Sequence, residues 1–204
     1  MPFALRHPFS FAPDSGLASG AWLVYDVGNP RQPRLVHTHR GSDTAQLREP
    51  HSLPLAIVDD KTYVGVQTTF GIQIWDMTDP LDPAVVGSVS LNGVNGGDYT
   101  DVAWQSSWQF PYLYVAGGNR GVYVVDPSDL THPELVRQVQ TSQLGGFRVG
   151  PIFALGERLF LANADEDARF RYVVAPMPRR TGAAARLLWE QAAFPLHARG
   201  ACWD

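Results

Sequence analysis

The chain holds a single cysteine, Cys202. It can form no internal disulfide, so its stability has to come from a buried core, and cysteine usage leaves the redox compartment open. No stretch reaches the roughly 18 consecutive apolar residues of a membrane-spanning helix. Positive charge is scarce: 16 Lys and Arg stand against 20 Asp and Glu, a net charge of −4. Arg169, Arg171, Arg179 and Arg180 are split by apolar residues and proline, so there is no basic stripe for nucleic acid or anionic lipid. The opening MPFALRHPFSFAPDSG lacks the basic start and continuous apolar stretch of a secretory signal. Helical periodicity is nearly absent; only GAAARLLWEQAA (182–193) favours a helix. No G-x-S-x-G, H-E-x-x-H or phosphate-binding G-x-x-x-x-G-K-[ST] occurs. The glycine pairs at 96–97, 117–118 and 145–146 read as turns, with no helix start behind them to hold a phosphate.

What is present is a core-forming composition, 45% apolar and 18% charged, suited to a globular chain, and a repeat. AWLVYDVGNPRQPRLV, GIQIWDMTDPLDPAVV and GVYVVDPSDLTHPELV follow one another at a fixed interval. Asp26, Asp76 and Asp126 are 50 residues apart, as are Pro33, Pro83 and Pro133, and Val36, Val86 and Val136. Gly71 and Gly121 open two of these stretches. Self-similarity at a period of 20 to 50 residues marks solenoids, propellers and arrays. The middle unit divides into LPLAIV (53–58), TYVGVQ (62–67), GIQIWD (71–76) and AVVGSVSL (84–91), separated by turn-forming residues. The next unit offers DVAWQSS, PYLYVAG, GVYVVD and ELVRQVQ, and the last PIFAL and RLFLAN. Four short strands in about fifty residues predict a blade of an all-β propeller.

The repeated aspartate ends the third strand of each unit, where its carboxylate can accept backbone N–H bonds from residues just ahead and fold an Asx turn. The proline that follows fixes φ and ends pairing. Asp26, Asp76 and Asp126 are therefore expected to be structural turn residues. A calcium site would need more carboxylates at a ligand spacing that the turns lack.

These units resemble the LVIVD repeat, whose pattern is a strand of the type L-x-I-V-D, then V-S-D-P, then x-x-P and a last apolar strand. GIQIWDMTDPLDPAVVGSV carries it. GVYVVDPSDLTHPELVRQV and WLVYDVGNPRQPRLV follow with Leu130 in place of a proline and Gly28-Asn29 in place of Ser-Asp. The resemblance spans roughly residues 20 to 174. It implies a β-propeller, often in surface or exported proteins of bacteria and archaea, and it implies no catalytic residue.

The fourth unit departs from the grid. Position 176 is proline where aspartate is due, and APMPRRTGAAARLLWEQAAFPLHARGACWD has neither strand alternation nor an Asp-Pro turn. Residues 1–174 are thus expected to form blades (units near 1–50, 51–100, 101–150 and 151–174), and 175–204 a degenerate or irregular segment. FALRHPFSFAP, with two prolines, makes weak inner strands for the first unit. The expectation is about four blades forming an incomplete arc of a larger propeller, a fragment with exposed strand edges.

Three groups are candidates for chemistry or binding. His51, Asp98 and Asp101 fall near inner strand starts, which line the mouth of a propeller channel; a metal or acid–base role there needs a further partner. His37 and His39, two apart on one strand, have a chelating spacing without an evident third ligand. Trp104 and Trp108, in the aromatic stretch DYTDVAWQSSWQFPYLY, could stack on sugar or anchor a protein, or simply pack between blades. The expected function is a non-enzymatic interaction module without cofactor or metal. Its partner would be a protein or further blades of the same protein, with no nucleic acid and no membrane span. A channel-mouth enzyme or metal site, or a carbohydrate-binding propeller, are the alternatives.

Overall fold

The computed structural model describes residues 9–13, 20–47, 52–94, 103, 105–146, 148–163 and 175–176. They form four small antiparallel sheets, each a meander of strands consecutive in the chain. The first holds β1 (Phe9–Pro13), β2 (Trp22–Asp26) and β3 (Arg34–His39). The second holds β4 (Leu55–Val58), β5 (Lys61–Gln67), β6 (Gly71–Asp76) and β7 (Ala84–Ser90). The third holds β8 (Gln105–Gln109), β9 (Tyr112–Ala116), β10 (Val122–Asp126) and β11 (Glu134–Val139), followed by a 3-10 turn over Thr141–Leu144. The fourth holds β12 (Val149–Leu155), β13 (Arg158–Asn163) and β14 (Ala175–Pro176). No helix among the described residues is long and apolar enough to cross a membrane.

Burial explains why the middle strands read as continuous apolar runs. All five residues of β9 (YLYVA) are buried, and so are the first five of β6, because each of these strands has a neighbouring sheet on both faces. Sheets join through three apolar clusters. Trp22 and Leu47 of the first unit pack with Val64, Val66 and Trp75 of the second, with the rings of Trp22 and Trp75 edge to face at 5.4 Å. Ile72 and Leu91 of the second meet Leu113, Val115, Tyr123 and Val125 of the third. Tyr114, Val122 and Val124 of the third meet Ile152, Leu159 and Leu161 of the fourth. Gly87 in β7 lies against the next unit: a Cβ there would lie 2.1 Å from the Leu130 carbonyl oxygen.

The fifty-residue grid has a structural counterpart in each of the first three sheets. Pairing between the third and fourth strands of the repeat slips by one residue at the same place, between Val24 and Tyr25, Ile74 and Trp75, and Val124 and Val125. The residue left over on the outer strand is Val36, Val86 or Val136 in turn, since Val24 pairs with His37 and Tyr25 with Leu35, and likewise fifty and one hundred residues on. The periodic valine is thus the extra residue of a β-bulge, which bends and twists the outer strand.

Some strand bounds differ from expectation: LPLAIV (53–58) pairs over Leu55–Val58, and PIFAL (151–155) belongs to a strand over Val149–Leu155. The inner strand of the third unit, read as 101–107, is observed at Gln105–Gln109, because pairing runs on to the Phe110-Pro111 turn, with Gln109 opposite Tyr112. Positions 101, 102 and 104 of that reading lie outside the described residues, as do the helix-favouring stretch 182–193 and Cys202. In the fourth unit, Ala175 and Pro176 pair with Leu159 and Arg158.

Candidate functional site

The repeated loop after each third strand is built the same way three times. The Oδ1 of Asp26, Asp76 and Asp126 accepts the backbone N–H two residues on, from Gly28, Thr78 and Ser128, each at 2.9 Å. A second Asx turn follows at once: Asn29, Asp79 and Asp129 accept from the N–H of Arg31, Leu81 and Thr131 at 3.2, 2.9 and 2.9 Å. Their carbonyls accept from Gln32, Asp82 and His132 at 3.0, 3.1 and 3.1 Å, and Pro33, Pro83 or Pro133 then leads into the outer strand. The chain reverses through side chains that replace backbone partners, which is why Asx residues and proline recur there.

The electrostatics follow from this geometry. The amide of Gly28 holds the Asp26 carboxyl below its ordinary value against a smaller opposing effect of burial, with help from Arg34 at 3.3 Å. At Asp76 burial opposes ionisation, but the hydroxyl and amide of Thr78 and the ammonium of Lys61 at 3.6 Å outweigh it, leaving the carboxyl lowered. Asp129 falls to about 2, first through the Thr131 hydroxyl, then the Thr131 amide and His132. Each folded value lies below the unfolded one, so this stabilisation is complete above the ordinary carboxylate value of 3.8 and fades as pH falls through the folded value. Thermal melts from about pH 5 down to about pH 2 should show a falling Tm that begins near the unfolded value, with a shallower fall for Asp129→Asn. A Tm flat across that range would contradict the assignment. Asp76→Ala should cost about 0.5–2 kcal/mol, by analogy with the loss of a helix-capping side chain; a denaturant midpoint unchanged within error would show that the carboxylate does not hold the turn.

The proposed channel-mouth residues His51, Asp98 and Asp101 lie outside the described residues, and so does Trp104. Trp108 is half-buried, packs against the cluster joining the second and third sheets, and has its indole Nε1 shielded from solvent without a hydrogen-bond partner. Tyr112 and Tyr114 of the same aromatic stretch are core residues, their rings 6.2 Å apart, whereas Phe110 is 48% exposed. His37 and His39 sit with ring centroids 6.4 Å apart. His39 Nε2 lies 2.9 Å from Asp43 Oδ2, and its ring meets the edge of Trp75 at 5.9 Å. This places His39 at the seam between the first two sheets. Among the described residues no group of three or more His, Cys, Asp or Glu could hold a metal ion.

Between Ser52, Gln67 and Ser106 the structure holds a polar clasp with no counterpart in the sequence expectations. Ser106 N–H donates to Ser52 Oγ at 2.7 Å. With the Gln67 amide turned to satisfy its neighbours, its nitrogen donates to the Ser52 carbonyl at 2.9 Å and its oxygen accepts from Ser106 Oγ. Gln67 is 2% exposed, and its bonds join the second sheet to the inner strand of the third. A parallel bond, Ala154 N–H to Ser107 Oγ at 2.9 Å, joins the third sheet to the fourth. Serine and glutamine in β-strands carry no signal of this kind in a single sequence, and these residues do not fall on the fifty-residue grid.

No curated protein matches the chain. Residues 111–141, which run from the turn before β9 to the first residue of the 3-10 turn after β11, match the family model of the LVIVD repeat. The matched stretch holds β9, β10 and β11, with the Asp126 turn and the Val136 bulge.

Proposed function

We propose that the chain is a non-enzymatic interaction module, an arc of about four propeller blades that further blades or a partner protein complete. The observation that carries this reading is the threefold recurrence of one turn and one bulge at Asp26 and Val36, Asp76 and Val86, and Asp126 and Val136. The repeated residues have structural roles, and the sheets they build join through apolar clusters and clasps between inner strands. Such an array displays its outer turns and terminal faces to partners. LVIVD repeats belong to β-propellers, which supports reading the four sheets as consecutive blades. An extracellular or cell-surface setting fits the resemblance. The packing of Trp108 between sheets favours a structural role for it over sugar stacking.

An open arc leaves apolar faces uncovered. The 204-residue chain should therefore bind a hydrophobic dye, and a chain lengthened by further repeats should lose that binding. A short chain that binds no dye and melts as a sharply cooperative monomer would contradict the open arc.

A further inference from the structure

The first unit presents to solvent a set of residues that the second and third units bury. The registers align them: Tyr25 pairs with Leu35, Trp75 with Val85, and Val125 with Leu135. Trp75 and Val85 pack in the cluster that holds Trp22 of the first sheet. Val125 and Leu135 pack in the cluster that holds Ile72 of the second. This pair of positions therefore faces the preceding unit. Trp75 and Val125 are fully buried, whereas Tyr25 is half-buried and Leu35 is 49% exposed.

The loop after the repeated aspartate shows the same contrast. Met77 and Pro127 are buried, and Val27 is only half-buried. Pro83 and Pro133 are buried, and Pro33 is exposed. A proline serves a turn by fixing φ, which does not require burial. In the third unit the second sheet reaches it: Pro133 Cδ stands 3.0 Å from where a Gly87 Cβ would be, next to the Leu130 carbonyl oxygen. The proline on the fifty-residue grid is thus also a seat for the outer strand of the unit before it. Pro33 presents that seat to solvent.

We propose that this face of the first unit, built from Tyr25, Val27, Pro33 and Leu35, is the docking surface for one more repeat unit of the same kind, joined ahead of it at the fifty-residue spacing. The inference rests on the blade-array reading above and names the face that a completing blade covers. It commits to a repeat unit so joined because the same face of the second and third units is covered by the sheet fifty residues earlier. The incoming sheet would set an apolar residue of its third strand against Tyr25, as Trp22 and Ile72 are set in the two clusters. Its outer strand would rest on Pro33, as Gly87 lies on Pro133.

Cysteine alkylation under native conditions tests it. Cys202→Ser is the background, and Leu35→Cys and Leu135→Cys are the probes. Each is placed in the 204-residue chain and in a chain that carries an extra copy of residues 51–100 ahead of Met1. The copy sets its repeated aspartate fifty residues before Asp26. The thiol at position 35 should react freely in the 204-residue chain, and about tenfold or more slowly once the copy is added, as sites closed by packing do. Hydrogen exchange over residues 27–35 in the two chains without a cysteine probe should slow in the same way. A thiol at position 35 that reacts equally fast in both chains would overturn the proposal, whether the added unit folds elsewhere or stays unfolded. The thiol at position 135 separates this from the blade array. If it is protected while position 35 stays open in the longer chain, the docking inference fails alone. If it reacts as fast as position 35 in the 204-residue chain, the stacking of the second and third units fails with it.

Discussion

Replacing Gly121 by alanine should lower the unfolding free energy by about 2–5 kcal/mol, summing a left-handed backbone cost of ~1–2 with a steric cost of ~1–3. Gly121 has φ +83°, and a Cβ there would lie 1.9 Å from the Val139 carbonyl oxygen and 3.0 Å from the Gln140 carbonyl carbon and the Thr141 nitrogen. These neighbours are backbone in the end of β11 and the 3-10 turn, so they cannot swing away as a side chain would. Single domains have margins of only about 5–15 kcal/mol, so the variant should be largely unfolded at moderate denaturant. Gly146→Ala separates the two costs: its φ is +82° but nothing stands within 4 Å of the added Cβ, so only the backbone component, about 1–2 kcal/mol, should be lost. Urea titrations of both variants measure the difference, and equal losses would show that the contact with Val139 is not made.

Gly87→Ala should have the second largest effect, for a different reason. Gly87 pairs with Ile74 across the bulged ladder, so alanine suits the strand itself. The obstacle belongs to the next unit, with the Leu130 carbonyl oxygen 2.1 Å and the Pro133 Cδ 3.0 Å from the new Cβ. Accommodating it means pushing the second and third sheets apart at the outer strands. The expected cost is about 1–3 kcal/mol, with faster unfolding. Hydrogen exchange should quicken in β7 and the Asp126–Pro133 loop, while β9 and β10, buried on both faces, keep most of their protection. Unchanged exchange in the loop would argue against the contact.

These glycines show how far the sequence could be read. The Asp-Pro loops were legible because a short side chain that imitates a backbone partner and a ring that fixes φ have few other reasons to recur together. The valine grid was legible as a repeat but not as a bulge. In retrospect the adjacent apolar residues Leu35-Val36, Val85-Val86 and Leu135-Val136 break strand alternation where the ladder slips. Gly87 sits inside a strand, which signals close approach of another backbone, yet the chain segment approaching it is set by tertiary packing. The clasp of Ser52, Gln67 and Ser106 was illegible for the same reason: its partners are 15 to 54 residues apart and polar residues of ordinary type. Of the candidate site, the turn aspartates could be followed into geometry. Trp108 went to the junction between sheets, where aromatic packing competes with any role in binding. His51, Asp98, Asp101 and Trp104 lie outside the described residues.

If successive fifty-residue units stack sheet upon sheet as blades, the outer strand of the second is pressed on the Asx loop of the third. The most direct test is a nuclear Overhauser measurement between the Gly87 Hα and Pro133 Hδ protons, read beside the cross-strand contacts of Gly87 with Ile74. The stacked array predicts a strong Gly87–Pro133 signal, since Pro133 Cδ stands 3.0 Å from where a Gly87 Cβ would be. Intact cross-strand contacts with no Gly87–Pro133 signal would mean that the sheets form without stacking, and would contradict the account.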